Sequence, residues 1–196
     1  IHRRTASEVF GVPFDEVTSE MRSAAKAVNF GIVYGISDFG LARQLGISRK
    51  EAARYIELYF MRYPGVYTYL KECVEHAKQQ GAATTLFGRR REMPELKSSN
   101  YNTRSFGERV AMNMPIQGTA ADIIKLAMVR VHNELKARGM KSELILQIHD
   151  ELIIDAVQEE ADAAAEILKS CMENVVNLKV PLLAEVHTGH SWFDTK

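Results

Sequence analysis

Hydrophobic residues recur every three to four positions along most of the first hundred residues, which predicts a series of amphipathic helices. Thr18 or Ser19 is placed to cap the second of them, and Ser48 with Glu51 forms a capping-box pattern at the start of the third. The predicted helices cover residues 5–11, about 19–35, 48–62 and 66–80. Residues 83–94 are predicted to form two short extended segments around Gly88.

The pattern changes near residue 100. A long helix is predicted over roughly residues 103–138, and Pro115 should bend it, because proline removes one backbone hydrogen bond. Two apolar runs within residues 144–156 predict a β-hairpin. An amphipathic helix over about 159–176 and a last strand over 181–188 complete the chain.

These elements predict an α+β fold that is mostly helical. A helical subdomain over residues 1–100 is followed by a second subdomain over residues 101–196. In the second subdomain, the hairpin 144–156 and the strand 181–188 are expected to form a small antiparallel sheet backed by long helices.

The composition fits a folded, water-soluble domain. With 46% apolar residues the chain can bury a core, and no apolar run approaches the roughly 18 residues of a membrane span. Cys73 and Cys171 lack metal-ligand spacing and are interpreted as reduced, partly buried thiols of a cytosolic protein. The net charge is zero, but residues 1–110 carry an excess of five positive charges and the rest an equal negative excess. That division fits a protein that binds a polyanion with one part and a metal with the other.

Two cations and two aromatic residues recur every four positions in the second predicted helix. These residues, called here the cation–aromatic stripe, are Arg22, Lys26, Phe30 and Tyr34. Each four-residue step drifts only about 40° around a helix, so the four side chains share one face. Such a face suits a ligand with phosphates at one end and a flat sugar or base at the other. The alternative is a solvated basic face that runs into a buried aromatic patch.

The predicted hairpin reverses direction at His149, Asp150 and Glu151, without the glycine that tight turns favour. Carboxylates held at the end of a strand are suitable ligands for Mg²⁺. The alternative is an exposed acidic loop. The six histidines form no metal-binding cluster, so a zinc site is not expected.

Three hydrogen-bond donors lie four residues apart in the long predicted helix. This donor row consists of Arg109, Asn113 and Gln117. Every base pair presents acceptors in the minor groove, so a row of donors there can test pair geometry without reading sequence. The alternative is a polar, exposed helix face.

Three motifs resemble those of the bacterial family A DNA polymerases, in the same order and over essentially the whole chain. Residues 22–35 resemble the nucleotide-binding fingers helix, residues 104–122 the primer–template helix, and residues 148–151 the palm carboxylate motif. Residues 190–192 also look like the end of such a polymerase. The resemblance implies that residues 1–100 belong to a fingers subdomain and residues 101–196 to a palm subdomain.

The resemblance also implies roles at a nucleotide site. Arg22 and Lys26 would hold the incoming triphosphate, and Lys26 would protonate the leaving pyrophosphate. His2 resembles a further triphosphate contact. Phe30 would pack on the sugar, and Tyr34 would stand near the templating position.

For DNA and metal, the resemblance implies that the donor row contacts the primer terminus and template through the minor groove. His149 would support the primer end, Asp150 would bind Mg²⁺, and Glu151 would sit just outside the metal's first coordination shell. Residues 89–91, all arginine, either contact backbone phosphate or form a solvated charge cluster.

The implied function is template-directed addition of deoxynucleotides to a primer 3′-hydroxyl, with two Mg²⁺ ions and release of pyrophosphate. The expected partners are primer–template DNA, deoxynucleoside triphosphates and an upstream part of the same polymerase. We expect a cytoplasmic monomer that acts in DNA replication and repair.

The family pattern includes a second metal-binding aspartate on a strand that would precede Ile1, and no matching segment occurs in this chain. The chain alone is therefore expected to be inactive in primer extension. Two other functions remain as alternatives: a nucleic-acid-binding remnant without chemistry, and an α+β domain of unrelated function.

Overall fold

The structure is a computed structural model, and it describes residues 1–195. It divides into two compact units, Ile1–Gly118 and the residues from Thr119 onward. The α-helices are α1 (His2–Phe10), α2 (Ser19–Val33), α3 (Asp38–Leu45), α4 (Arg49–Arg62), α5 (Pro64–Gln80), α6 (Tyr101–Ala137) and α7 (Ala161–Glu173). The strands are β1 (Ala82–Thr84), β2 (Arg90–Glu92), β3 (Glu143–Ile148) and β4 (Glu151–Asp155).

Local capping sets where the helices of the first unit begin. The Thr18 hydroxyl accepts a hydrogen bond from the Met21 backbone N–H at 3.2 Å, which satisfies one of the unpaired donors at the start of α2. At the start of α4, Ser48 and Glu51 form the predicted reciprocal capping box, with bonds of 3.2 Å and 3.0 Å. The predicted helix starts at these two positions are confirmed.

The core of the first unit lies between its helices. One cluster joins all five helices from α1 to α5, and its buried side chains include Val28, Leu41 and Tyr59. A second cluster joins α5, the β1–β2 hairpin and α6, and it includes Met93 and Ala111. The buried residues of α2 alternate with exposed ones at helical spacing, so one face of α2 is held by the core and the other is free to bind a ligand.

The second unit is built around the predicted β-hairpin. Strands β3 and β4 pair antiparallel, with Ile148 opposite Glu151, and the register shifts between Leu144 and Leu146. Its core joins α6, β4 and α7 through side chains such as Val131, Leu152 and Ile167. This packing anchors the hairpin, since Leu152 directly follows the acidic tip in the chain and is only 7% exposed.

The prediction of a strand over residues 181–188 is wrong. These residues carry no strand in the structure, and the sheet of the second unit contains β3 and β4. Residues 181–187 alternate between exposed and half-buried positions. They lack strand pairing, and the Ala184 N–H donates instead to the Glu173 carboxylate at 3.1 Å. Alternating burial shows only that one side of an extended segment packs against the protein. A β-strand also needs a neighbouring strand with which its backbone forms hydrogen bonds.

The predicted fold class is confirmed: the chain is mostly helical, with two small antiparallel sheets. The structure divides at 118/119, within α6, and the functional boundary proposed at residue 100 stays a prediction. Helix α6 continues through Pro115. Both cysteines are free thiols of intermediate exposure, as predicted. Among the described residues, no helix is both long enough and apolar enough to cross a membrane.

Candidate functional site

All four side chains of the cation–aromatic stripe are exposed: Arg22, Lys26 and Phe30 lie on α2, and Tyr34 caps its C-terminal end. Phe30 and Tyr34 keep 49% and 47% of their surface accessible, although both are large apolar rings. The opposite face of α2 is buried through Ala25, Val28 and Ile32. The alternative of a basic face that runs into a buried aromatic patch is therefore wrong, since the aromatic residues are as open to a ligand as the cations.

His2 lies beside the stripe, although 28 positions separate it from Phe30. The two ring centroids are 5.6 Å apart and tilted by 42°. The Asn29 side-chain amide lies 2.9 Å from His2 Nδ1 and also donates to the Thr5 hydroxyl at 3.1 Å. Because the amide is a donor, Nδ1 acts as acceptor and the proton of a neutral His2 lies on Nε2.

The charge state of His2 follows from its surroundings. Partial burial lowers the pKa of His2 below its ordinary value, and the positive charges of the Ile1 amino group, Lys26 and Arg22 lower it further. At neutral pH the ring is therefore an uncharged donor through Nε2. A neutral donor next to two cations can bind a phosphate oxygen without adding to the repulsion between positive charges.

The end of α2 is joined to α6 within the first unit. The Gln117 amide donates to the Tyr34 hydroxyl at 2.7 Å, so a residue of the stripe and a residue of the donor row are in direct contact. Gly35 lies directly against α6: a Cβ placed on it would lie 2.6 Å from Met112 Cε and 2.9 Å from Arg109 Cγ. The sequence predicted the two motifs separately and gave no indication of this contact.

The donor row is only partly exposed. Arg109 donates to the Ser105 hydroxyl at 3.0 Å and places its guanidinium 6.0 Å from the centre of the Phe106 ring. Asn113 Nδ2 is buried and has no hydrogen-bond partner within the described residues. A buried donor without an acceptor is costly, so this amide is suited to a ligand that brings an acceptor.

An open groove of about 450 Å³ runs along α6 in the first unit. Its lining includes the whole donor row, together with Tyr34 and Phe106. Arg91 of β2 also lines it, which singles out one residue of the arginine run 89–91. The groove thus combines aromatic faces with hydrogen-bond donors, the combination that nucleic acids favour.

In the second unit, the hairpin tip has a strained backbone. His149 has a φ of 52°, and it is the one non-glycine residue with positive φ among residues 1–195. Histidine tolerates this conformation better than most residues, but it remains uncommon and is typical of functional positions. The Gln147 amide donates to the His149 carbonyl at 2.6 Å and closes the turn. The turn lacks the glycine that tight turns favour, and the positive φ of His149 is the structural consequence.

Asp150 and Glu151 at the tip are both exposed but differ in their contacts. The indole N–H of Trp192 donates to Glu151 Oε2 at 3.3 Å. The Asp150 carboxylate makes no hydrogen bond or ion pair to the described residues, so its oxygens are available for a ligand. Trp192 is the single tryptophan of the chain, and no sequence pattern predicts its contact with Glu151.

The base of the hairpin, at the start of β3, is held by the Glu160 carboxylate. Glu160 accepts hydrogen bonds from the Lys141 and Ser142 backbone N–H groups, at 3.0 Å and 2.9 Å, and from the Ser142 hydroxyl at 2.6 Å. These bonds, that of the Ser142 side chain first, lower the pKa of Glu160. The hairpin is therefore fixed at both ends of its strands, by Glu160 at the base and by packing of Leu152 near the tip.

The chemistry of the tip fits a Mg²⁺ ligand. Magnesium is commonly held by one or two carboxylates together with the phosphates of a substrate and water, and an unengaged carboxylate on a rigid turn satisfies that need. The described residues contain no group of three or more histidine, cysteine, aspartate or glutamate side chains that would hold a metal by themselves. Asp150 thus supplies one ligand and not a complete site.

The match to known proteins covers nearly the entire chain. The model of the family described as "DNA polymerase family A" matches residues 1–194. The chain belongs to DNA polymerase family A. Proteins named DNA polymerase I from Caldicellulosiruptor bescii and Bacillus caldotenax are 58% and 54% identical to it over 196 residues.

Among solved family A structures, the POL domain of Pol1 from M. smegmatis, in complex with DNA primer-template and dNTP, is 45% identical to this chain. It superposes with a TM-score of 0.95 over 99% of this chain and 34% of its own. The matches to the two DNA polymerase I proteins span the whole of this chain, but only 23% and 22% of the length of those relatives. The predicted family resemblance is confirmed.

Proposed function

We propose that this chain provides the nucleotide-binding helix, part of the primer–template surface and one metal-binding carboxylate of a template-directed DNA polymerase. The observation that carries the proposal is the exposed cation–aromatic stripe, with His2 at one side and Gln117 of the donor row at its end. The family assignment supports it. So does the solved relative, which is in complex with a DNA primer-template and dNTP.

The triphosphate binds at the N-terminal half of the stripe in this proposal. Arg22 and Lys26 neutralise the phosphate charge, and His2 donates a neutral hydrogen bond through Nε2. Phe30 packs on the sugar, which explains why a large ring stays half exposed beside His2. Tyr34 stands near the templating position, where Gln117 holds its hydroxyl.

The donor row binds the end of the duplex. Arg109, Asn113 and Gln117 offer donors to the acceptors that every base pair shows in the minor groove. Asn113 carries the clearest signal, because its buried Nδ2 has no acceptor within residues 1–195. His149 supports the primer end from the β3–β4 hairpin, called here the carboxylate hairpin because Asp150 and Glu151 lie at its tip.

At the carboxylate hairpin, Asp150 would hold Mg²⁺, and Glu151 would lie just outside the first coordination shell, where Trp192 orients it. Bound Mg²⁺ would activate the primer 3′-hydroxyl and stabilise the charge of the leaving pyrophosphate in a two-metal arrangement. Lys26 donates the proton that the pyrophosphate takes up. The hairpin holds these carboxylates in place, since its turn is closed by Gln147 and its strands are anchored.

The family pattern requires a second metal-binding aspartate, and no segment of this sequence matches it. We therefore propose that the 196-residue chain binds nucleotide and DNA but does not extend a primer unless an upstream part of the polymerase supplies that aspartate. The working protein is proposed to act as a cytoplasmic monomer in DNA replication and repair.

The test is equilibrium binding of a deoxynucleoside triphosphate to the full-length protein. Arg22→Ala and Lys26→Ala should each weaken binding by roughly tenfold to a hundredfold, the usual effect of losing a charge-assisted hydrogen bond. Arg54→Ala is the matched control, since Arg54 is also an exposed helical arginine. Unchanged binding in both stripe variants would favour an α+β domain of unrelated function. Binding without any primer extension by the full-length protein would favour a non-catalytic remnant.

A further inference from the structure

The arginine run 89–91 is divided by strand geometry. Successive residues of a strand point to opposite faces, and β2 pairs with β1 so that Arg90 lies opposite Thr84 and Arg91 opposite Ala83. Arg90 is engaged: it donates to Glu92 Oε1 at 2.8 Å and to the Gln80 carbonyl at 3.1 Å. Arg91 instead lines the α6 groove. Two adjacent residues of identical charge therefore have different environments.

Close packing fixes the β1–β2 hairpin against α6. A Cβ added to Gly107 would lie 2.9 Å from Glu95 Cβ and 3.2 Å from the Leu96 backbone nitrogen. A Cβ added to Gly118 would lie 2.6 Å from Thr85 Cγ2. The segment that carries Arg91 is thus in contact with α6 on both sides of Arg91 along the chain.

The lining of the groove suits a ligand that carries both negative charge and hydrogen-bond acceptors. Arg91 and Arg109 are its charged residues, and no acidic side chain lines it within the described residues. Its floor, from Phe106 to Gly118, is roughly 18 Å long at 1.5 Å per residue. Phosphates of one DNA strand are spaced about 3.4 Å along the helix axis, so a strand that ran along the groove would place about five of them beside it.

We propose that Arg91 binds a backbone phosphate of the nucleic-acid strand that occupies the α6 groove, and that Arg90 does not. This inference rests on the proposed function, since it assigns one further contact to the same DNA surface. The bidentate guanidinium suits a phosphate at the rim, while the donor row reaches the base edges. The run 89–91 is then not a uniform solvated cluster, because one member has a defined ligand.

The experiment compares Arg91→Gln with Arg90→Gln in the full-length protein. The affinity for a primer–template duplex is measured as a function of salt concentration. Loss of one phosphate contact should lower the slope of log K against log[salt] by about 0.9 and weaken binding about eightfold at 0.1 M salt. Arg90→Gln, which removes the same charge one residue away, should leave the slope unchanged. Arg91→Lys should retain it, because the positive charge remains.

The outcomes separate this inference from the proposed function. Equal slope changes in both glutamine variants would mean a general electrostatic field and would overturn the assignment. If neither glutamine variant changed the salt slope while Arg109→Ala weakened duplex binding, the assignment of Arg91 would be overturned. The proposed function would still stand in that case. A wild-type protein that does not bind the duplex would contradict both. Triphosphate affinity should be the same in all the Arg90 and Arg91 variants, since only duplex binding uses this contact.

Discussion

The contact between Gly35 and α6 makes a quantitative prediction. Gly35 follows the end of α2 with a φ of +67°, a left-handed conformation that costs an L-residue about 1–2 kcal/mol. An alanine there would also place Cβ 2.9 Å from Arg109 Cγ, well inside the roughly 3.5–4.0 Å of a comfortable carbon contact. The Met112 methyl, at 2.6 Å, is a flexible end and can move, whereas Arg109 Cγ belongs to the stem of a donor-row residue.

Gly46 offers a matched control for the backbone effect. It has the same φ of +67° at the end of α3, but a Cβ added there meets no atom within 4 Å. Both substitutions also reduce the entropy of the unfolded chain by the same amount. The difference between Gly35→Ala and Gly46→Ala therefore isolates the cost of forcing α2 and α6 apart, which overpacking data put at about 1–3 kcal/mol.

The assay is denaturant unfolding of both variants, followed by primer–template binding in the full-length protein. Gly46→Ala should lose about 1–2 kcal/mol and bind the duplex normally. Gly35→Ala should be less stable by the additional overpacking cost and should bind more weakly, because Arg109 is displaced. Equal free energies of unfolding would refute the reasoning, since the close approach would then have no energetic consequence.

Three other changes have defined outcomes. Glu8, whose pKa is lowered to about 2 mainly by a hydrogen bond from a tyrosine hydroxyl, stabilises the fold above pH 4.5 and loses that effect as the pH falls towards 2. Glu8→Gln should therefore lower the melting temperature at pH 7 but not at pH 2, as thermal unfolding can show. Asp150→Asn should abolish Mg²⁺-dependent primer extension by the full-length protein while triphosphate binding, measured by titration, persists. Trp192 fluorescence from the 196-residue chain should change with Glu151→Gln and not with Glu143→Gln, which alters the far end of the same hairpin.

Features that depend only on residues close together in the chain could be predicted from the sequence. Thr18 caps α2, and Ser48 with Glu51 caps α4, because capping needs only side chains within three residues of a helix end. The shared face of the cation–aromatic stripe follows from helical spacing alone. The spacing did not say whether that face is buried, and the structure shows it open.

Contacts between distant segments could not be predicted from spacing. His2 and Phe30 meet because α1 packs on α2, and Tyr34 and Gln117 meet across 83 positions of the chain. Nothing in either motif identifies the other as its neighbour. The strand expected at 181–188 failed for the related reason that a period of two predicts a covered side but not a hydrogen-bonding partner.

Helix α6 shows how packing and binding are combined in one element. Gly107, Ala111, Met114 and Gly118 recur at intervals of four, three and four, which places them on one face, and that face packs on the β1–β2 hairpin and its core. The donor row recurs at intervals of four on another face and lines the groove, which Met114 and Gly118 of the packing face also line. The donor row and both glycines lie on the same stretch of α6 within the first unit, so a larger side chain at Gly107 or Gly118 would shift the donor row. The small residues of α6 therefore affect ligand binding through position, and Gly107 and Ala111 do so without lining the groove.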